Sequence, residues 1–371
     1  MLGTITDLNR IVLRRVKKLL VPHFKRQGSN YKTICHSILK NCYYDNFFHV
    51  SSGNFKNFFV RDFSIIAKHL INIGYKKEVF STINFAFDSF MNSGHVATTI
   101  TKTIFGYQAY DLPDYGFDSP ALFVKIIFDS DYKLNDRQKR FLYQELEHMR
   151  KKYLDEQDLP KLDLTFSSMR DLQKRKRACY DVAMLAYLQQ TLSELGLNFE
   201  FKTNYKGYLM NEYWNGEFFY DDLTKQNYFS TDANIIPFWL GIFNSKEMFE
   251  KVHKIIKRLN LAEPLPIKYN ANEQIPSVKF RECEIFNKNY ESGAIWIHLG
   301  LIYLDLLKEF DKNNELKIHL TKMKELVEKY GTLVEVLYDD LTPFKSLFYF
   351  CDEGMSWCAS FFDLYEQITQ M

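Results

Sequence analysis

The sequence lacks several features that would assign a chain to a known class at once. Its 371 residues carry a formal net charge of +2, so the overall charge predicts no nucleic acid partner. No run of 18 uninterrupted apolar residues occurs, and we predict no transmembrane segment. No glycine-rich phosphate loop, Ser-His-Asp order or metal-ligand spacing is present. We therefore expect neither a metal ion nor another cofactor.

Cysteine pairs with functional spacing are also missing. The six cysteines are scattered and form no CxxC motif. Cys351 and Cys358 are seven residues apart, which suits one face of a helix but matches no zinc motif. Scattered cysteines in a long chain favour reduced, buried thiols, and thus a cytoplasmic location.

The N-terminal stretch MLGTITDLNRIVLRRVKKLLVPHFKR is basic and amphipathic. It has no long apolar run and no cleavage site, so it does not match a secretory signal. Two interpretations remain. The stretch forms a helix that packs on the protein body, or it forms a helix that lies on a membrane surface.

Hydrophobic periodicity of the helical kind runs through most of the chain, and aromatic residues reach 16%. Helices are predicted over residues 6–25, 29–40, 61–73, 76–90, 118–129, 136–152, 179–195, 202–211, 231–240, 245–259, 291–310, 316–330 and 356–370. Gly74 and Gly196 stand at turns between successive helices. A short two-stranded piece is predicted from residues 217–220 and 228–230.

The order of helix, tight turn, helix and long loop recurs along the chain, and no linker rich in proline, glycine or serine interrupts it. We predict a single all-α domain over residues 1–371, in which residues 1–44 pack on a ring formed by residues 45–371. Six helical hairpins would close into an (α/α)6 toroid with short β-hairpin insertions in its loops. The alternative is an irregular bundle or an open solenoid.

Several short motifs, in this order, resemble those of the six-hairpin glycosidases, which include glucoamylase, trehalase and the α-1,6-glucosidase part of glycogen-debranching enzymes. The motifs are FFVRD ending at Asp62, FDSPALF from Phe117, SSMRD ending at Asp171, STDANIIPFW from Ser230, NYESGAIW ending at Trp296, and GTLVEVLYDD followed by DEGMSW. The resemblance spans about residues 45–365 and implies the toroid fold and glycosidase chemistry.

Glycosidases of this kind use two carboxyl groups, and the resemblance implies the inverting geometry. By position, Glu335 matches the general base, with Asp339, Asp340 and Glu353 as rivals. Asp171 matches the general acid. Asp163 is the second candidate for the acid. Alternatively, Asp171 has a purely structural role and pairs with Arg170 or Lys174.

The resemblance also implies a set of sugar-binding residues. Arg61 and Asp62 would hold the hydroxyls of the terminal sugar, since a carboxylate accepts from two adjacent hydroxyls and a guanidinium can fork to an oxygen. Asp118 either caps its helix or faces the sugar. Trp296 is the stacking candidate near the sugar, and Tyr110 and Tyr290 are expected to line the funnel. Trp357 and His298 are expected to be core residues.

These expectations combine into one functional prediction. The chain is expected to be a glycoside hydrolase that acts on a small or terminal α-linked glucoside by inversion, with an oligosaccharide or small glycoside as its partner. No starch-binding or β-sandwich domain accompanies the ring, which disfavours an insoluble polymer. The alternative is a catalytically degenerate toroid that binds carbohydrate or a protein. The sequence does not specify the oligomeric state.

Overall fold

Helices that are buried on all sides alternate along the chain with helices that are buried on one side. The computed structural model describes all residues except 1, 22, 113, 167, 172, 272–288, 348 and 371. The helices are α1 (Leu2–Leu20), α2 (Tyr31–Cys42), α3 (Val60–Asn72), α4 (Lys76–Ser93), α5 (Ser119–Asp129), α6 (Asp136–Tyr153), α7 (Cys179–Thr191), α8 (Tyr205–Tyr208) continued by a π-helical turn (Leu209–Tyr213), α9 (Thr231–Trp239), α10 (Lys246–Arg258), α11 (Ile297–Glu309), α12 (Asn313–Tyr330) and α13 (Cys358–Gln370).

Six of these helices form a closed inner ring. In order, α3 packs on α5, α5 on α7, α7 on α9, α9 on α11 and α11 on α13, and α13 packs back on α3. The inner helices α5, α7 and α11 bury nearly every residue, as expected for helices covered on both sides. The predicted (α/α)6 toroid is confirmed.

The second layer consists of helices with one apolar face. It comprises α2, α4, α6, α8 with its π-helical turn, α10 and α12, each packed on one or more inner helices. In α10, for example, Phe249, Val252 and Ile256 are buried while the lysines face outwards. Since α2 lies in this layer, it supplies the outer helix of the first hairpin. The predicted single domain with a division after residue 44 stays a prediction.

Local sequence signals account for several helix boundaries. Asn30 and Asn135 each form a capping box at the start of α2 and α6. Gly94 and Gly331 end α4 and α12 with φ values of 82° and 68°, in the left-handed region that favours glycine. The five cysteines among the described residues are buried and free, as predicted; Cys283 lies outside them.

Short antiparallel strands connect the loops at one end of the ring. They are β1 (Tyr43–Tyr44), β2 (Phe47–Phe48), β3 (Phe58–Phe59), β4 (Thr99–Thr103), β5 (Gly106–Tyr110), β6 (Ile295–Trp296) and β7 (Val336–Leu337), paired as β1-β2, β3-β4-β5 and β6-β7. The strand pair predicted at 217–220 and 228–230 is wrong. Trp214 bridges Phe219 instead, and the amide of Phe219 donates to the Asn234 side chain at 2.7 Å.

Helix α1 lies outside the ring and packs on β4 and β5. Arg14 extends from it to the carbonyl of Cys351, to which Nη2 donates at 2.7 Å. The N-terminal stretch therefore forms a helix that packs on the protein body through its inward side, as in the first interpretation. Within the described residues, no helix is long and apolar enough to cross a membrane. The cytoplasmic location stays a prediction.

Candidate active site

A cavity of about 360 Å³ opens at the end of the ring where the inner helices α3 and α11 begin. This size is typical of small-molecule sites. Its aromatic lining consists of Phe55, Phe59, Tyr269, Tyr290, Trp296, Tyr349 and Trp357. Its ionisable lining consists of Arg61, Asp62, Asp171, Glu291, His298 and Glu335. Apolar walls with a few convergent polar groups are characteristic of a ligand-binding site.

Glu335 is positioned by the short β6-β7 sheet. It directly precedes β7, where Val336 pairs with Trp296, and its carbonyl accepts from the amide of Ile297 at 3.3 Å. The Glu335 side chain is only 5% exposed. Its Oε2 accepts from the amide of Asp352 at 2.7 Å and from the hydroxyl of Tyr349.

The electrostatics of Glu335 favour a protonation change near neutrality. Burial raises the pKa of Glu335 to about 7, and the nearby Asp352 carboxylate adds to this effect. The hydrogen bond from Tyr349 opposes the rise, because it stabilises the carboxylate. Such a carboxyl group can gain or lose a proton at the pH of most cells.

Asp352 is a fixed support beneath Glu335. Its buried carboxylate accepts from the Ser51 hydroxyl at 2.5 Å and from the amides of Asn54 and Phe55 at 2.9 Å. Arg14 of α1 adds an ion pair at 3.2 Å. With its side chain held in this way, the Asp352 backbone presents its amide to Glu335 in a defined direction.

Asp171 reaches the cavity because its neighbour Arg170 is anchored behind it. Arg170 is fully buried and donates to the Ser230 hydroxyl at 3.0 Å, and to Asn270 and the carbonyl of Glu291 at 2.8 Å. The Asp171 side chain remains 38% exposed, and its Oδ1 lies 3.5 Å from Arg61 Nη2. The Arg170 guanidinium is thus directed towards other groups, and Arg61 is a cationic neighbour of Asp171.

Arg61 is held from behind by Asp118. The Arg61 Nε donates to Asp118 Oδ2 at 2.9 Å, and the same oxygen accepts from the Tyr180 hydroxyl at 2.8 Å. Asp118 stands at the N-cap of α5, yet its side chain makes no capping bond, and it does not line the cavity. Its position is that of a residue that orients Arg61. Nη2 of Arg61 has no hydrogen-bond acceptor among the described residues.

Asp62 points into the cavity beside Trp357. The Trp357 indole Nε1 donates to Asp62 Oδ1 at 2.9 Å, and burial raises the pKa of Asp62 to about 6 although Arg61 lowers it. Trp357, expected to belong to the core, therefore also belongs to the site. Trp296 and Tyr290 also line the cavity, and the Trp296 indole donates to the Tyr290 carbonyl at 2.6 Å.

The remaining predicted residue and the rival carboxylates lie elsewhere. Tyr110 belongs to β5, and its hydroxyl donates to Asp7 of α1, outside the cavity lining. Asp163 is exposed, and Asp340 bonds to Thr342. The two other rivals form ion pairs: Asp339 with Lys268 at 2.8 Å, and Glu353 with Lys18 at 2.9 Å.

Sequence reasoning missed three of the ionisable or hydroxyl-bearing residues that line the cavity: Tyr269, Glu291 and Tyr349. Glu291 is 6% exposed and follows Tyr290 in the NYESGAIW motif, so its neighbours were a usable signal. Tyr349 lies in an irregular loop, where no periodicity marks it. His298, expected to be a core residue, lines the cavity, and burial lowers its pKa to about 3, so it is neutral.

Among the residues that the structure describes, no cluster of three or more His, Cys, Asp or Glu side chains has the arrangement needed to hold a metal ion. Four carboxyl groups line the cavity, those of Asp62, Asp171, Glu291 and Glu335, with aromatic surfaces around them. Among them are Asp171 and Glu335, which come from positions distant in sequence. This combination suits acid–base chemistry on a neutral, ring-shaped ligand.

Comparisons with known proteins give similarity at the level of structure. No family model matches the chain, and no curated protein matches it. The GH63 mannosylglycerate hydrolase from Thermus thermophilus, solved in complex with Tris, has a TM-score of 0.60 at 14% identity and covers 91% of this chain and 100% of its own.

Two further solved structures are similar. The Thermus enzyme in complex with glucose has a TM-score of 0.59 at 12% identity and covers 91% of this chain and 99% of its own. A structure described as a wild-type glycosidase has a TM-score of 0.61 at 10% identity and covers 92% of this chain and 96% of its own. The chain therefore has the fold of the six-hairpin glycosidases.

Proposed function

We propose that this protein is an inverting glycoside hydrolase that acts on a small or terminal α-linked glucoside. The observation that carries the proposal is the convergence of Asp171 and Glu335 on one aromatic cavity, at the end of the ring where inner helices begin. Glycosidases need one carboxyl group to protonate the leaving oxygen and one to activate water. The fold shared with glycosidases supports this assignment.

Glu335 is the proposed general base. Tyr349 and the Asp352 amide both bond to its Oε2, and no such bond to Oε1 is present among the described residues. A water molecule beside Oε1 would lose its proton to Glu335 while its oxygen attacks the anomeric carbon. The bond from that carbon to the leaving oxygen breaks, and its electron pair stays with the leaving oxygen.

Asp171 is the proposed general acid. Its proton passes to the leaving oxygen, so Glu335 ends protonated and Asp171 ends as the carboxylate. The neighbouring Arg61 Nη2, 3.5 Å away, would stabilise the carboxylate that forms. A proton exchange with water then restores both groups for the next cycle.

The substrate assignment follows from the shape and chemistry of the cavity. About 360 Å³ suits a small glycoside or the end of a chain. Asp62, fixed by Trp357, offers an acceptor for sugar hydroxyls, and Trp296 offers a flat surface for a sugar ring. The preference for an α-linked glucoside comes from the family resemblance, and a structural neighbour has been solved with glucose.

The first experiment is to follow the anomeric protons by NMR while the purified protein acts on maltose, isomaltose, trehalose, sucrose and short maltodextrins. The proposal expects β-glucose as the first product from an α-linked substrate. Release of α-glucose would contradict inversion. No cleavage of any of these sugars at high protein concentration would favour a degenerate, sugar-binding toroid.

Two variants separate the roles of the carboxyl groups. For Asp171→Asn we expect large losses on natural glucosides but near wild-type rates on an aryl glucoside with an acidic phenol, because such a leaving group needs no protonation. For Glu335→Gln we expect losses on both substrates, because the water still needs a base. Equal losses on both substrates for Asp171→Asn would contradict its role as the acid.

A further inference from the structure

Helix α1 buries polar residues and exposes apolar ones, the reverse of an ordinary surface helix. A helix on a globular protein normally buries its apolar face and exposes its polar face. In α1 the residues on the inward side include Asp7 at 4% exposure and Lys18 at 6%, while Leu13 is 68% exposed and Leu20 is 81% exposed. This inversion requires an explanation that the sugar site does not provide.

The inward face is a set of satisfied polar contacts. The Asp7 carboxylate accepts from Asn57 at 3.2 Å and from Thr101 at 3.1 Å. Further along the helix, Arg14 pairs with Asp352 at 3.2 Å, and Lys18 pairs with Glu353 at 2.9 Å. The orientation of α1 is thus fixed by several buried polar bonds, and turning the helix over would break them.

The outward face is apolar over the second half of the helix, residues 12–20. It consists of Val12, Leu13, Val16, Leu19 and Leu20, with exposures between 51% and 81%. At about 100° per residue, these five lie within about 60° of the direction opposite Asp7. Nearby, the turn of the β4–β5 hairpin on which α1 packs exposes Ile104 and Phe105 at 84% and 73%.

The charges around this face identify the kind of surface that it fits. Residues 8–27 contain seven Arg and Lys residues and no Asp or Glu. Three of the seven form ion pairs with carboxylates: Arg10 with Asp7, Arg14 with Asp352 and Lys18 with Glu353. Arg15 and Lys17 flank the apolar face on opposite sides, and neither is paired with a carboxylate among the described residues. The side-chain cations of Lys25 and Arg26, just beyond the helix, likewise form no ion pair with a carboxylate among those residues, although the Lys25 amide donates to Glu353 at 2.8 Å.

We propose that α1 is a membrane-surface helix, which binds anionic lipid bilayers through its apolar outward face and its flanking cations. An apolar stripe bordered by Lys and Arg is the arrangement of helices that lie in the interfacial plane. A second copy of the chain fits less well, because a two-fold contact through α1 would bring the unpaired cations of both copies together. The inference is independent of the proposed catalytic function.

The proposal connects the bilayer to the sugar site. Ile11 of α1 lines the cavity, and Arg14 binds Asp352, whose amide holds Glu335. Helix α1 therefore forms part of the cavity wall with its inward side. A membrane bound to its outward side would be separated from the cavity by this one helix. The inward contacts would be retained, since the bilayer uses only side chains that they leave exposed.

The experiment is flotation of the full-length protein with vesicles of phosphatidylcholine alone and of phosphatidylcholine mixed equally with phosphatidylserine. We expect binding to the mixed vesicles, at least tenfold weaker binding to the neutral ones, and weakening by salt. The variant with Leu13→Glu and Leu20→Glu is expected to lose at least tenfold in binding. It should melt at the wild-type temperature, because both side chains are exposed.

The matched control carries Leu162→Glu and Ile318→Glu. These changes introduce the same two charges at apolar residues that are 53% and 54% exposed on other surfaces. We expect this control to bind vesicles much as the wild type does. Absence of vesicle binding, or equal loss in both double variants, would overturn the proposal. So would sedimentation showing a dimer that the α1 variant abolishes, which would make a second copy the occupant.

Discussion

Helix α3 carries charged residues at both of its ends, and the two ends differ in how fully these residues are hydrogen-bonded. We call the start of α3, at the candidate active site, the opening end and the finish of α3 the closing end. At its start, Arg61 and Asp62 face the cavity, and the Arg61 Nη2 makes no hydrogen bond among the described residues. Near its end, His69 donates to Asp363 at 2.7 Å and to Asp305 at 3.1 Å. A second cavity of about 420 Å³ lies beside this cluster at the opposite end of the ring.

The difference shows how burial and bonding separate structural from functional charges. At the closing end, His69 is bonded through both ring nitrogens, and Asn72 adds a bond to Asp363 at 2.8 Å, so the cluster stabilises the ring by itself. At the opening end, Arg61 Nη2 makes no hydrogen bond among the described residues and lies 3.5 Å from Asp171, and both side chains line the cavity. Convergent polar groups of this kind are typical of sites that bind a ligand.

The largest contrast is expected from the same Glu→Gln change at each end. Glu335→Gln removes the proposed base, and we expect kcat/KM to fall by about 10²–10⁴-fold, the usual contribution of general base catalysis. Glu309→Gln alters a carboxyl group beside the opposite cavity and should leave kcat/KM within about twofold. Steady-state kinetics on the best glucoside would test both. Comparable losses in the two variants would remove the distinction between the ends.

The next largest effect is on stability at the closing end. His69→Gln removes a cation that lies between two carboxylates, and we expect the free energy of unfolding to fall by about 3 kcal/mol, while kcat/KM of the folded protein is unchanged. His95→Gln is the control, because the pair of His95 with Asp111 is partly exposed and should contribute less than about 1 kcal/mol. Urea denaturation of both variants supplies the measurement.

The same histidine should give stability a defined pH dependence. The two carboxylates raise the pKa of His69 from 6.5 to about 9 against the effect of burial. The stabilisation is therefore complete below pH 6.5 and is lost as the pH rises through about 9. The difference in unfolding free energy between wild type and His69→Gln should shrink by about 3 kcal/mol across this window. A difference that stays constant with pH would mean that His69 is not charged in the native state.

Much of this arrangement could be predicted from sequence because it rests on local patterns. The helical periodicity predicted nearly all helices, and the order of motifs predicted ring closure. The same motifs predicted that Asp171, Glu335, Arg61 and Asp62 would meet, and the structure brings them to one cavity. Their catalytic and binding roles stay predictions. Inner helices are buried on all sides and outer helices on one side. The sequence shows this difference, because the inner helices are apolar all round and the outer helices have one apolar face.

The remainder depends on contacts between distant segments. Tyr110 is turned towards α1 because β5 carries it to Asp7, a pairing that no local pattern encodes. Asp118 stands where a cap is expected, but Arg61 and Tyr180 take its carboxylate instead. Tyr349 lies in an irregular loop. The outward apolar face of α1 follows from polar contacts with residues 50 or more positions away.

The smallest and most specific test concerns the pH at which the opening end becomes active. If Glu335 is the base, kcat/KM should fall as the pH drops below about 7, where Glu335 gains its proton. The Tyr349 hydroxyl bond favours the carboxylate, so Tyr349→Phe should raise the pKa of Glu335 and move this acidic limb to higher pH. The measurement is the pH profile of kcat/KM.

A matched control for Tyr349→Phe is available within the same cavity. Tyr269 also lines it, but its hydroxyl donates to the carbonyl of Met169 at 3.1 Å and not to Glu335. Tyr269→Phe removes the same atom from the same cavity, and we expect its acidic limb to stay at the wild-type position. If Tyr349→Phe leaves the limb unmoved, or if both variants shift it equally, the limb does not report Glu335. The proton that limits the reaction at low pH would then belong to another group in the cavity, with Asp62, whose pKa is raised to about 6, as the first to examine.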